Sequence, residues 1–212
     1  MAKVVTLGEI MLRLSPPRVM NALHRPPVLM LITAVPKPNV AASLAQLGNN
    51  AAFLSKIPAN AIGDAAIATL KSLGVNCQYI ARGGKRLGIY FLENGASIRP
   101  SSVVYDRADS SVTQAKATEF DFDKIFNDVD LFHVSGITPV LSQDAADLTF
   151  SRTEKAKEHG VTVSFDLNYR AKLWTDHIEE KQQMLSDMMP YVDICFGNAR
   201  DAAKCLAIQK TV

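Results

Sequence analysis

Polar and charged side chains follow two β-rich runs of the sequence. Segment 166–170 reads Asp-Leu-Asn-Tyr-Arg, and segment 105–107 reads Tyr-Asp-Arg. The planar guanidinium of Arg binds a carboxylate through two parallel hydrogen bonds, and a Tyr hydroxyl can orient the hydroxyl groups of a ligand. Arg107, Arg170 and Tyr105 are therefore candidates for contacting anionic or hydroxyl groups of a ligand.

Alternating strands and helices must position these residues. The pattern predicts strands at 3–10, 51–57, 130–136, 161–166 and 192–197, and helices at 39–47, 64–73, 142–159 and 178–189. Asp64 and Ser142 are expected to cap the second and third of these helices. The alternation indicates an α/β fold whose parallel sheet is covered by helices on both faces. Such sheets bind ligands at the carboxyl ends of their strands, which is where Arg170 lies.

A predicted hairpin interrupts this alternation. Leu87–Glu93 and Ser101–Arg107 are β-branched or aromatic, and a turn sequence that begins Glu-Asn-Gly-Ala separates them. A hairpin inserted into a doubly wound chain indicates a flap or lid, and lids exclude water from a site.

Composition excludes several classes of protein. Of the 212 residues, 48% are apolar and 21% charged, with a net charge of +2. The chain is therefore globular rather than disordered, collagenous or a coiled coil, and its charge favours neither nucleic acid nor a membrane as partner. Cys77, Cys195 and Cys205 lack metal-ligand spacing and are expected to be reduced thiols. With no signal-peptide core and only a short apolar run, Val28–Val35, the expected location is the cytoplasm.

Four segments together resemble the ribokinase-like (PfkB) sugar kinases, and within them the kinases of 2-keto-3-deoxygluconate: 8–17, 88–93, 105–108 and 166–170. The resemblance implies one partial domain over 1–212, a three-layer ribokinase-like sandwich with a mostly parallel sheet. A small β-lid would be formed by segments of about 15–38 and 87–107. The implied activity is phosphorylation of the sugar acid by ATP with Mg²⁺, and the implied partners are the sugar acid, ATP and a second copy bound through the lid.

The resemblance also assigns roles to individual residues. The implied substrate-binding residues are Tyr90, Tyr105, Arg107, Arg170 and Asn39. The implied nucleotide-binding residues are Asn168, Arg170 and Asn198. The family motif Asn-x-x-Glu, which helps to hold the Mg²⁺ and phosphate shell, reads Asn198-Ala-Arg-Asp201 here, so Asp201 would contact the metal indirectly.

The lid residues also have structural alternatives. Arg107 could be a solvated charge on the hairpin, and Tyr90 and Tyr105 could be packing residues of the lid. Both alternatives stay open at the level of the sequence.

The residues outside the lid have structural alternatives as well. Arg170 could cap its strand or pair with Asp166, and Asn198 and Asp201 could cap the last helix. His133 lies within an apolar run and is expected to be a hydrogen-bonded core histidine.

The catalytic motif of the family is absent from the sequence. Kinases of this family take the hydroxyl proton with an Asp in Gly-Ala-Gly-Asp, and Gly63-Asp64 is not that motif. No catalytic residue is therefore expected in this chain, and the family base is expected beyond Val212. The alternative function is that of a truncated, catalytically inactive fragment that binds a sugar acid or a homologous partner.

Segment 18–38 departs from the family pattern. The family places a Gly-Gly turn before Asn39, but Ala34–Pro38 stands there, and the segment holds four of the ten prolines and lacks a lid-strand pattern. Codons can be chosen for Val28–Pro38 that, after a two-base shift, read Phe-Asp-Val-Asn-Tyr-Gly-Gly-Ala-Glu-Ala. The hypothesis is that a compensated frameshift altered this segment.

Overall fold

The computed structural model describes residues 1–16, 30–32, 39–95 and 97–208. Its strands are β1 Lys3–Leu7, β2 Met11–Ser15, β3 Met30–Ile32, β4 Asn50–Ile57, β5 Ile80–Arg82, β6 Gly88–Glu93, β7 Ser102–Asp106, β8 Leu131–Ser135, β9 Thr162–Asp166 and β10 Ile194–Phe196. Its α-helices are α1 Asn39–Gln46, α2 Ala61–Ser72, α3 Phe122–Phe126, α4 Gln143–Glu158, α5 Ile178–Met188 and α6 Ala199–Leu206. Within these residues no helix is long and apolar enough to cross a bilayer.

Six parallel strands form the main sheet in the order β10-β9-β8-β1-β4-β5. Adjacent residues of a strand point to opposite faces, so Phe53 joins the core beneath α1 and α2 while Leu54 joins the core beneath α4 and α5. These two cores confirm the predicted α/β sandwich with a mostly parallel sheet. Strand order reverses between β1 and β8, and this reversal opens a crevice at the carboxyl ends of both strands.

Four strands form a second, smaller sheet in the order β3-β2-β6-β7. The predicted hairpin is present as the antiparallel pair β6–β7, and β2 runs parallel to β6. The first lid segment starts at Met11 rather than near residue 15, because β2 already pairs with β6 there. The short strand β3 pairs with β2, although the sequence shows no strand pattern at 18–38. The rest of that segment, including the position of the missing Gly pair, lies outside the described residues.

The start of α2 differs from the prediction. Asn60, not Asp64, caps the helix, because its side chain accepts a hydrogen bond from the Gly63 amide at 3.0 Å. Asp64 instead lies in the first turn, where a carboxylate is favoured by the helix dipole, and pairs with Arg82 at 2.6 Å.

The edge strand β10 is exposed on one face of the main sheet, as expected if a further part of the family fold would cover it. Ile194 and Phe196 of the edge strand β10 are 41% and 57% exposed. Among the described residues, the helices on that face are α1 and α2, which pack against β1 and β4. The strand β5 and the helix α3 were not predicted, because segments of three and five residues are too short to show a period.

Candidate active site between the sheet and the lid

A cavity of about 210 Å³ lies where the strand order reverses, at the carboxyl ends of β1, β8 and β9. The first turn of α1 closes one side of it, through Asn39 and Val40. Its polar lining consists of Thr6, Glu9, Asn39, His133, Ser135, Thr138, Asp166, Asn168 and Arg170. The structure therefore brings together three of the residues proposed from sequence, namely Asn39, Asn168 and Arg170.

The ends of β8 and β9 are held close together. The Gly136 amide donates to the Asp166 carbonyl at 2.7 Å, and Asn168 Nδ2 donates to Ser135 Oγ at 3.1 Å. A Cβ at residue 136 would lie 2.5 Å from the Leu167 carbonyl oxygen, so only glycine permits this approach. Asn168 has a φ of 44°, in the left-handed region that Asn tolerates. These contacts turn the chain toward the cavity directly before Arg170.

Arg170 is exposed and lines the cavity. Within the described part of the chain, its only hydrogen bond goes from Nη1 to the Tyr169 carbonyl at 3.2 Å. The guanidinium does not form an ion pair with Asp166, so that alternative is wrong, although its charge still acts through space. Burial raises the pKa of Asp166, and the nearby His133 and Arg170 oppose this effect. Because Arg170 makes only that one hydrogen bond among the described residues, most of its guanidinium N–H donors remain available to a ligand.

His133 forms part of the cavity wall. Its Nδ1 lies 3.0 Å from Ser164 Oγ, so the predicted hydrogen-bonded histidine is confirmed. Burial lowers the pKa of His133, and the Asp166 charge partly offsets the effect. The imidazole is thus neutral at pH 7. The prediction missed that the same side chain lines the cavity, as does Thr6, whose buried Oγ1 has no hydrogen-bond partner among the described residues.

Tyr90 and Tyr105 lie directly opposite each other on β6 and β7, with ring centroids 6.3 Å apart. Arg13 lies opposite Tyr90 on β2. Burial raises the pKa of Tyr90, while the Arg13 charge lowers it. One face of the lid sheet therefore presents a row of hydroxyl and guanidinium groups.

Arg107 follows β7 and is only 9% exposed, so the alternative of a solvated hairpin charge is wrong. Its Nη2 forms an ion pair with Oε2 of Glu9, which is 3% exposed. Ser110 Oγ also donates to Glu9, at 3.0 Å to Oε1. The guanidinium carbon of Arg107 lies 5.6 Å from the centre of the Tyr105 ring.

Sequence reasoning missed Glu9 and Arg13. Both lie in the family-like segment 8–17, but neither was given a role. Strand alternation offers a signal for Arg13, because side chains two residues apart share a face and Arg13 is a charge within an apolar strand. No local signal identifies Glu9, because its partner Arg107 lies 98 positions along the chain.

Asn198 and Asp201 cap α6, as the structural alternative proposed. Asn198 Oδ1 accepts from the Arg200 and Asp201 amides at 2.9 and 3.0 Å, and Asp201 Oδ2 accepts from the Asn198 amide at 3.2 Å. Neither residue lines the cavity, but Asp201 is close enough for its charge to raise the pKa of Asp166. Their roles toward nucleotide and metal stay predictions.

Two observations concern metals and thiols. In the residues that the structure describes, no group of three or more His, Cys, Asp and Glu side chains is arranged to hold a metal ion. Mg²⁺ needs no such group, because it is commonly bound by one or two carboxylates together with phosphates and water. Cys77, Cys195 and Cys205 are free thiols, as predicted, and burial raises the pKa of Cys205 to about 12.

Residues 1–211 of the sequence match the pfkB family of carbohydrate kinases. The chain belongs to this family. It is 37% identical to the 2-dehydro-3-deoxygalactonokinase of Haloferax volcanii over 98% of its own length and 64% of that relative. It is 31% identical to the 2-dehydro-3-deoxygluconokinase of Bacillus subtilis over 65% of this chain and 43% of that relative. The chain thus covers less than two thirds of the length of both relatives.

Solved structures agree with this assignment. The 2-dehydro-3-deoxygluconokinase of Thermotoga maritima is 49% identical, with a TM-score of 0.92 over 98% of this chain and 63% of that one. A PfkB family carbohydrate kinase from Listeria grayi is 33% identical, with a TM-score of 0.91 over 99% of this chain and 65% of that one. The fold predicted from the resemblance is therefore confirmed.

Proposed function

We propose that this chain supplies the sugar-acid site and the lid of an ATP-dependent kinase for 2-keto-3-deoxygluconate. The observation that supports this most is the cavity at the strand-order reversal, where Arg170 is exposed and nearly unpaired. The lid adds Tyr90, Tyr105 and Arg107, although Arg107 is already paired with Glu9. Arginine suits a ligand carboxylate, and the tyrosine hydroxyls suit the hydroxyls of a sugar.

The reaction is transfer of the ATP γ-phosphate to the terminal hydroxyl of the sugar acid, which gives the 6-phosphate. Mg²⁺, bound mainly by phosphate oxygens, would supply charge neutralisation, with Asp201 acting through water. Asn168, Arg170 and Asn198 would face the nucleotide, and Asn39 at the start of α1 would face the sugar. A kinase for such a metabolite would work in the cytoplasm.

The sequence contains no Gly-Ala-Gly-Asp, which supplies the base and the anion-binding amides in this family. We therefore expect the 212 residues to bind the sugar acid and not to complete phosphoryl transfer unaided. A homodimer formed through the lid is also part of the proposal, since Val104 of β7 is 51% exposed. Sedimentation of the chain at several concentrations tests the dimer.

Calorimetric titration tests the sugar assignment. The relatives are named for 2-dehydro-3-deoxygluconate and for its galactonate counterpart, which differ in the configuration at C4. We expect saturable binding of both acids with preference for the gluconate form, and no binding of the corresponding sugar without a carboxylate. Equal binding of the neutral sugar would contradict an acid-specific site, and preference for the galactonate form would reassign the substrate.

A further inference from the structure

Among the residues that the structure describes, three passages between the main sheet and the lid meet at the Glu9 carboxylate. Residues 8–10 lead from β1 into β2, Gly88 begins β6, and residues 107–110 lead out of β7. Glu9 lies in the first of these connections. It is 3% exposed, pairs with Arg107 in the third, and accepts the Ser110 hydroxyl at 3.0 Å.

Because Gly88 has no side chain, the Glu9 carboxylate fits beside the start of β6. A Cβ at this position would lie 2.5 Å from Glu9 Oε1 and 3.2 Å from Arg107 Cβ. Any larger residue would displace the Glu9 carboxylate and crowd the base of the Arg107 side chain. The close approach of β6 is therefore part of the same arrangement.

Glu9 pairs with only some of the N–H donors of the Arg107 guanidinium. The ion pair uses Nη2, while Nε is buried and has no acceptor in the described segments of the chain. Arg107 does not itself line the cavity that contains Arg170, but its ion-pair partner Glu9 does. An unpaired buried donor is costly unless a further acceptor reaches it, and a ligand oxygen is such an acceptor.

We propose that Glu9 is a positioning residue, which fixes the lid to the main sheet and holds Arg107 so that its remaining donors face an acidic ligand. The part that concerns the ligand rests on the proposed function, and the part that concerns the lid does not. Removal of the Glu9 charge leaves Arg107 buried without a counter-charge, so both the lid and the guanidinium lose their fixed position.

Two measurements on the 212-residue chain test the proposal with Glu9→Gln, Glu9→Asp and Ser110→Ala. Asp106→Asn is the matched control, since Asp106 ends β7 directly before Arg107 and forms a solvent-exposed ion pair with Arg86, which precedes β6. Without ligand, amide hydrogen exchange in segment 87–110 should rise about tenfold in Glu9→Gln and less in Ser110→Ala and Glu9→Asp, while Asp106→Asn stays within about twofold. Calorimetry should show the Kd for 2-keto-3-deoxygluconate rising about tenfold in Glu9→Gln and recovering in part in Glu9→Asp.

Each result decides one half of the proposal. Unchanged exchange in Glu9→Gln overturns the role in fixing the lid. Faster exchange with an unchanged Kd overturns the role toward the ligand. If Glu9→Gln does not fold, wild-type exchange and Kd in Ser110→Ala overturn the proposal. Failure of the wild type to bind the sugar acid contradicts the proposed function, while the exchange result still decides the role in the lid.

Discussion

Replacement of Arg170 separates ligand binding from stability. Its guanidinium is exposed, and among the described residues it hydrogen bonds only with the neighbouring Tyr169 carbonyl. Arg170→Ala should therefore change the free energy of unfolding by no more than about 0.5 kcal/mol. A hydrogen bond to a charged group contributes about 1.5–3 kcal/mol. Loss of one such bond to the ligand carboxylate would raise the Kd roughly 10- to 150-fold.

Arg200 provides the matched control for this experiment. It is also exposed, and its guanidinium carbon lies 5.7 Å from the Tyr169 ring, but it does not line the cavity. Arg200→Ala removes the same charge and should leave the Kd for the sugar acid within about twofold, because exposed charges act weakly at a distance. Calorimetric titration without nucleotide gives both values. Equal losses of affinity for the sugar acid in the two variants, or no loss of affinity in Arg170→Ala, would refute the assignment of Arg170 to the ligand carboxylate.

Four further predictions concern the Arg107 ion pair, the cap of α2, His133 and segment 18–38. Arg107→Met leaves the Glu9 carboxylate buried without its partner and should cost about 3–5 kcal/mol in urea unfolding; a cost below about 1 kcal/mol would refute a stabilising pair. Asn60→Ala should cost about 1 kcal/mol through loss of the α2 cap, whereas a larger cost in Asp64→Ala would restore Asp64 as the cap. Because the pKa of His133 is lowered in the folded state, the unfolded state binds the extra proton first, so stability should fall as pH drops below about 6.5. His133→Gln should flatten that slope, and an unchanged slope would assign it to other groups. Sequencing of the gene across codons 18–38 should reveal a shifted frame that encodes Gly-Gly before Asn39, and a frame that cannot be restored by small insertions and deletions would end that hypothesis.

Periodicity in the sequence predicted most of the main sheet and its helices. Runs such as 130–136 and 161–166 are apolar and β-branched, and Ser142 and Gly160 mark both ends of α4, so local chemistry is sufficient there. The cap of α2 was misplaced because Asn60 and Asp64 are both good capping residues and only the side-chain contact distinguishes them. Local pattern does not show that β10 is exposed; that expectation came from the family resemblance, which implies further elements beside this edge.

The candidate site was predicted in part. Arg170 could be placed because it lies at the carboxyl end of a predicted strand, whereas Asn39 and Asn168 were proposed only because the family resemblance implies them. The pairing of Arg107 with Glu9 joins residues 98 positions apart, and no local pattern encodes such a contact. The sequence therefore suggested a free arginine at 107, whereas the structure shows one that is already neutralised.

A crystal structure of the chain with 2-keto-3-deoxygluconate would show directly where the sugar acid binds. We expect the ligand in the cavity at the ends of β1, β8 and β9, with its carboxylate within hydrogen-bond distance of Arg170 and its hydroxyls facing Tyr90 and Tyr105. A larger cavity of about 600 Å³ lies elsewhere, between segments 139–146 and 172–184. A ligand bound there, with the cavity beside Arg170 empty, would contradict the assignment of the sugar-acid site to Arg170.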